Sequence, residues 1–472
     1  MKKISKFIFI AALSLSVVSC DSFLDVDNFQ EIPAEEAYAT PQDVTNGMVG
    51  AYWSLGTYRF YGRSVVAVGD MGADISVANP STSHLYTIST YTFTETDTYL
   101  KEMWYYGYKV VDGAFKTIEG GKALLEKGAR ESDQPALYSA ISQSYSLSAL
   151  SYFTLVNLYG LPYQAGGNNT QIGVPVLKKA LLPFEDIKRA TVEEVYIQIL
   201  NDIANAKEYL NKLDDGTKAS INQFFFNEAA IYALEARVHL YMGRYAKAIV
   251  AAQKAIDLRS SGDVSNEFYI KMWSSVAITD EDIFTISKTE ADNLSANSLN
   301  TLYDTYRAAI SSTLKSYFKS TDIRLGLISG THPKKFDGLP SSSSTSNIPV
   351  FRKSEMYLII AESQARLDQI APAKTALLYT AKRNTAIQTV ADLPSTKADL
   401  LKFIEEERIR EFFQEGHRWY EARRTNSKIT VNVAGAGLFD VAKFVYPLPA
   451  DEINATGGVS EQNDGWIDNL PH

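Results

Sequence analysis

The chain has 472 residues, enough to bury a sizeable core, and its 45% hydrophobic and 21% charged content excludes the compositional class that stays disordered. With 46 Lys+Arg against 55 Asp+Glu the net charge is −9, so there is no general attraction to phosphate backbones and nucleic acid is not an expected partner. Aromatic residues reach 12%, which fits either platforms that stack on sugars or rings packed between helices.

Lys2, Lys3 and Lys6 precede an apolar stretch from Phe7 to Val18 that is too short for a membrane span of about 20 residues, so it reads as an export signal covering residues 1–19. The stretch ends Val17-Val18-Ser19-Cys20, a small residue before the chain's single cysteine, as in the lipobox of bacterial lipoproteins. A lone cysteine makes no internal disulfide, and a thioether to lipid on Cys20 is the expected use. A mature chain beginning at Cys20 would stay on a membrane through its acyl chains. No later run of about 18 apolar residues follows.

Helical periodicity dominates from about Val44 to Leu210, interrupted by a Thr-, Ser- and Tyr-rich loop from Asp70 to Thr98. One helix runs through Tyr145, Leu150, Phe153 and Tyr159 and stops at Gly160-Leu161-Pro162, and another starts at Thr191, with Glu194 at capping-box spacing. Between Tyr232 and Leu258, Ala236, Gly243, Tyr245, Ala248, Ala252 and Ala255 fall at tetratricopeptide spacings. The frame recurs more weakly from Glu355 to Arg383, where Ala361 and Ala373 are again twelve apart but Leu377 and Thr380 replace alanines. Two such pairs cannot bury their faces alone and must stack on other helices. Ser261 to Thr345, with Ser341 to Ser344 and scattered Asn, reads as a second loop region and a candidate binding surface.

Catalytic motifs are missing: there is no H-E-x-x-H, G-x-S-x-G, P-loop or G-x-G-x-x-G, and the five histidines lack metal-ligand spacing, so no catalytic residue, metal or cofactor is expected. Glu405-Glu406-Glu407 offers carboxylates, but helical neighbours point about 100° apart, so the run before Arg408 and Arg410 reads as a charged helical face with intrahelical pairing. Ile409, Phe412, Phe413, Gly416 and Tyr420 form a packing stripe whose glycine permits close backbone contact, with His417 and Trp419 as structural residues.

The opening Cys20-Asp21-Ser22-Phe23-Leu24-Asp25 resembles that of mature SusD-like lipoproteins. Tyr152 to Pro162 and Arg189 to Tyr196 are similar to that family's helix, turn and following segment. The most specific likeness is Glu406-Glu407-Arg408-Ile409-Arg410-Glu411-Phe412-Phe413-Gln414-Glu415-Gly416-His417-Arg418-Trp419-Tyr420 with Arg423-Arg424, followed by Tyr446-Pro447-Leu448-Pro449 and Gln462-Asn463-Asp464-Gly465-Trp466, which resembles the SusD/RagB C-terminal region. The resemblance implies an all-α fold, with tetratricopeptide-like helix pairs packed against a loop-rich ligand-binding region. It implies one unit over 20–472: an N-terminal part of about 20–215, helix pairs near 225–260 and 350–385, and a C-terminal part of about 260–472. It also implies a surface-exposed outer-membrane lipoprotein acting as a ligand-capturing lid over a SusC-like, TonB-dependent transporter.

Three functions follow from these residues: capture of oligosaccharides for a transporter, a tetratricopeptide scaffold for peptides or proteins, and a hydrolase. For the first, Tyr86, Tyr91, Trp273 and Tyr303 are candidates for stacking on sugar rings, and Asp70, Asp74 and His84 for bonding hydroxyls, because pyranose faces are apolar and their edges polar.

Overall fold

A computed structural model describes residues 37–178, 187–259, 262 and 264–472; Cys20 and the opening that follows it lie outside the described residues. Helix α1 (Pro41–Leu55) starts at a reciprocal cap, the Thr40 hydroxyl accepting from the Asp43 N–H while the Asp43 carboxylate accepts from the Thr40 N–H at 2.9 Å, with Pro41 pre-set at the first position. After the short α2 (Ser64–Met71), α3 (Thr98–Glu126) is capped by Asp97 and packs, with α1, on α4 (Gln134–Tyr159). Every residue of α4 from Ala140 to Tyr159 is buried, which explains why its apolar residues do not keep to one stripe. Two of its serines are satisfied across the helix packing: Ser151 donates to the Gly107 carbonyl and Ser142 to that of Ala206, both at 2.7 Å. Helix α5 (Val192–Leu210) covers another side of α4 and begins at the Thr191 and Glu194 capping box expected from its spacing.

The two helix pairs are α6 (Glu228–Tyr241) with α7 (Tyr245–Asp257) and α8 (Lys353–Arg366) with α9 (Ile370–Ala381), and α7 packs on α8. Ala248, Ala251, Ala252 and Ala255 line the buried side of α7. The first turn uses Gly243 at φ +67°, while the equivalent turn of the second pair uses Asp368 at φ +61°. An aspartate tolerates this left-handed backbone less readily than glycine, and that substitution is one reason the second repeat is faint in the sequence. Arg237 joins the pairs through a buried bidentate bond to Glu355, both contacts 2.6 Å.

Eight short strands among the described residues form four two-stranded antiparallel sheets: β1 (Ser76–Val77) with β5 (Ala309–Ile310), β2 (Ile172–Pro175) with β3 (Arg189–Thr191), β4 (Asp282–Ile286) with β8 (Ile348–Arg352), and β6 (Ile328–Ser329) with β7 (His332–Pro333). Both segments expected to be loops are therefore partly ordered elements. Short strands pair across more than 200 residues of chain there, which local composition does not reveal.

Helices α10 (Lys397–Phe412) and α11 (Arg418–Thr425) correct the reading of the acidic run. Arg410 does pair along its own helix with Glu406 at 3.5 Å and Glu407 at 2.9 Å, but Glu407, Arg408, Arg410 and Glu411 are buried rather than solvated. Arg324 reaches Glu407 at 2.8 Å and Glu411 at 3.1 Å, and Arg352 bridges Glu411 at 3.0 Å, Glu281 at 3.0 Å and Glu415 at 2.8 Å. Arg383 closes the ring onto Glu411 and Glu281. Burial alone would raise the Glu411 carboxyl, but Arg383, Arg352 and Arg324 hold it well below the ordinary carboxylate range. The packing stripe is also broken: α10 ends at Phe412, and Gly416 lies in a turn at φ +78°, where an added Cβ would sit 2.6 Å from Val66 Cα. The close contact foreseen for this glycine is real, made by a turn instead of a helix. His417 stacks on Phe412 and Trp419 is enclosed against Tyr446, as structural residues.

Candidate functional site

The β1–β5 pair brings two distant loops together. Asn79 Nδ2 and Thr82 Oγ1 both donate to the Tyr306 carbonyl, at 3.2 and 3.0 Å, and this fixes Tyr306 under the half-exposed ring of His84. The two rings stack with centroids 3.6 Å apart and planes 18° from parallel. Four non-glycine residues in these loops are left-handed: Ser83 at φ +58°, Leu85 at +55°, Ser295 at +46° and Arg307 at +59°. Such backbone costs energy and persists where surrounding contacts hold it, a pattern concentrated at binding sites. Here the contacts are the fully buried Leu85 side chain and the Leu85 N–H, which donates to Tyr99 Oη at 3.1 Å.

Behind the stack lies Arg63, only 3% exposed. Its guanidinium sits 5.0 Å from the Tyr58 ring centroid and 5.7 Å from that of Tyr99, and Nη1 donates to Asn297 Oδ1 at 3.2 Å. No described carboxylate pairs with it, and its Nε has no hydrogen-bond partner among the described residues. Partial burial, and then the charge of Arg63, lower the pKa of His84, so the imidazole is neutral at pH 7 and offers one donor and one acceptor. The result is a surface of ring faces edged by an imidazole and a side-chain amide and backed by the buried Arg63 guanidinium, suited to a molecule with apolar faces and polar rims.

Of the seven ligand candidates, the structure leaves His84 and Tyr86 partly exposed, with His84 in the stack. The other five are buried, and their expected exposure is corrected; Asp70, Trp273 and Tyr303 sit in short helical segments, Asp74 and Tyr91 in turns. Asp70 is fully enclosed at the end of α2 and accepts from the Gly416 N–H at 3.2 Å, and burial raises its carboxyl well above the ordinary range. Asp74 is held by Arg418 through two contacts of 2.8 and 3.0 Å. Tyr91 packs among Phe93, Phe439 and Phe444, with its hydroxyl on the Gly72 carbonyl. Trp273 lies in an apolar cluster beside Tyr269 with Lys335 over its ring, and Tyr303 donates to Ser76 Oγ at 3.3 Å. Asp74, Tyr91 and Tyr303 direct their polar atoms to partners within the protein, while Asp70 Oδ2 and Trp273 Nε1 are enclosed without a hydrogen-bond partner among the described residues, Trp273 bordering a cavity of about 30 Å3.

Sequence reasoning misses Tyr58, Arg63, Tyr99, Asn297 and Tyr306. Part of a signal exists: Tyr99, Glu102, Tyr106 and Lys109 recur at helical spacing on one face of α3. Tyr306 has no such signal, since only the β1–β5 pairing brings it to His84.

A cavity of about 240 Å3 lies elsewhere, between α8, α10 and α11, lined by Glu362, Arg408, His417, Arg418, Glu421 and Arg424 among others. Ion pairs cross its wall, Arg424 to Glu362 at 2.7 Å and Arg408 to Glu421 at 2.8 Å, so it reads as a gap at a helix junction. Among the described residues no group of three or more His, Cys, Asp and Glu is placed to hold a metal ion, and no helix is long and apolar enough to cross a membrane.

Residues 22–240 match a SusD-like family model described as starch-binding associating with outer membrane, and residues 329–466 match the model of the SusD family. The chain belongs to the SusD/RagB family. SusD-like protein P2 of Formosa agariphila is 23% identical, in a match that takes in 99% of this chain and 100% of that protein. SusD-like protein P38 of the same organism is 26% identical over 285 residues, covering 58% of this chain; the chain spans about half, 49%, of P38. A SusD superfamily protein of Bacteroides thetaiotaomicron superposes with a TM-score of 0.79 at 23% identity, over 90% of this chain and 99% of that one. In this SusD/RagB chain the conspicuous C-terminal motif builds the buried ion network and the Gly416 turn, while the exposed aromatic surface comes from segments with no motif at all.

Proposed function

We propose that this SusD/RagB protein is a non-catalytic glycan-capturing lipoprotein of the outer membrane. In this reading residues 20–472 act as one unit anchored through Cys20 after removal of residues 1–19. The unit holds an oligosaccharide on the His84 and Tyr306 surface and passes it to a SusC-like, TonB-dependent transporter. The observation that carries the reading is the His84–Tyr306 stack, clamped by strained loops on a rigid helical body and flanked by polar edges. Its support from kinship is the family description, which joins starch binding to the outer membrane. Affinity purification of the chain from its own outer membrane tests the transporter step: a TonB-dependent barrel is expected to co-purify, and recovery of the chain without one would remove delivery from the account.

A further inference from the structure

The aromatic surface does not stop at Tyr99. Arg59 lies 4.3 Å from the centroid of Tyr58 and 5.4 Å from that of Tyr106, and Lys109 lies 5.5 Å from both Tyr106 and Trp53. Rings and cations therefore alternate without a break: Trp53, Lys109, Tyr106, Arg59, Tyr58, Arg63, Tyr99. Leu85 then links Tyr99 to the His84 and Tyr306 stack. Trp53 is 58% exposed, a large apolar face left in water beside an exposed lysine. Three cations line this track against one carboxylate, Glu102, which is taken by Arg59 at 2.8 Å.

Arg63 decides the chemistry. A buried guanidinium without a carboxylate is costly unless something charged completes it, and here its neighbours are two phenol rings and one amide. We infer that the cargo is an anionic glycan, its ring faces lying on the aromatic residues of the track and its carboxylate or sulfate groups on Arg63, Arg59 and Lys109. This rests on the reading of the His84 and Tyr306 surface as the glycan site and adds the ligand's charge class to it. Uronate and sulfate ester share the required chemistry: negative oxygen acceptors beside an apolar pyranose face, which a chain net negative elsewhere would repel.

The test is calorimetric titration of the full-length chain in detergent with two matched pairs: polygalacturonate oligosaccharides against their carboxyl-reduced form, and sulfated against unsulfated dextran oligosaccharides. At low salt at least one charged member should bind about tenfold tighter than its neutral partner, and the advantage should shrink in high salt. Arg59→Gln with Lys109→Gln should lower the charged-to-neutral ratio by roughly twofold to fivefold per cation removed. Lys116→Gln, on the same helix as Lys109 but over none of the track's rings, should not change it. The pair that shows the preference separates carboxylate from sulfate. Equal binding of charged and neutral members, or an equal effect of Lys116→Gln, overturns the anionic cargo and leaves the glycan surface standing. Binding of no glycan at all overturns both. The buried Arg63→Gln variant is informative only alongside an unchanged helical spectrum; the variants of half-buried Arg59 and exposed Lys109 carry the test without it.

Discussion

The imidazole of His84 rests on the phenol of Tyr306 although 222 positions separate them, and Tyr306 is held from below through its own carbonyl by Asn79 and Thr82. Tyr306→Ala removes one ring of the pair without touching the core. Glycan affinity should fall by about 2 kcal/mol, near thirtyfold, with the circular dichroism spectrum unchanged. Calorimetry on the variant checks this, and unaltered affinity would move the site off these loops.

Glu411 is the shared acceptor of Arg324, Arg352 and Arg383. In Glu411→Ala three buried guanidinium groups lose that partner together, and stability should drop by about 3–5 kcal/mol. Urea unfolding of wild type and variant measures the loss; a change under about 1 kcal/mol would mean that the network contributes little.

Asp202 accepts from Ser148 and Gln198 inside the α4–α5 packing, and burial pushes its carboxyl from the ordinary 3.8 up to about 7. The folded state thus holds the proton more tightly than the unfolded one. The stability this adds is full below about pH 4 and is lost as pH rises through 7. Asp202→Asn removes the titration, so the variant should gain on wild type between pH 5 and pH 8.5, by at most about 3 kcal/mol. Unfolding free energies at the two pH values check it; a constant difference would place the Asp202 carboxyl in its ordinary range.

Gly416 and Gly435 share nearly the same left-handed backbone, φ +78° and +79°, but an added Cβ meets Val66 at the first and nothing within 4 Å at the second. Gly435→Ala should therefore cost only the backbone strain, about 1 kcal/mol, and Gly416→Ala at least 1 kcal/mol more. Thermal unfolding of both variants separates conformational strain from close approach.

What the sequence discloses follows from how local each signal is. The capping box at Thr191 and Glu194, the stop after Tyr159 and the first helix pair were legible because their determinants lie within a few residues of each other. The Glu405 to Glu411 run misled because its partners, Arg324, Arg352 and Arg383, arrive from other segments and turn a charged face into a buried one. The same distance hid Tyr306 and made Asp70, Asp74, Tyr91, Trp273 and Tyr303 look exposed. Polar and aromatic composition marks a loop, but burial depends on long-range packing that composition does not encode. His84 was within reach because a polar, aromatic segment with turn residues does form the surface it suggested.

The most direct test of glycan capture is histidine-selective NMR on isotope-labelled protein, titrated with a panel of plant, host and microbial glycans and with peptides, followed by product analysis. The chain has five histidines, and His84→Ala identifies the relevant signal. Capture at this surface predicts that one glycan class shifts the His84 resonance, that the shift disappears in Tyr306→Ala, and that the glycan is recovered intact. A glycan that binds with His84 unmoved, a response to peptides alone, or the release of shortened fragments would contradict it.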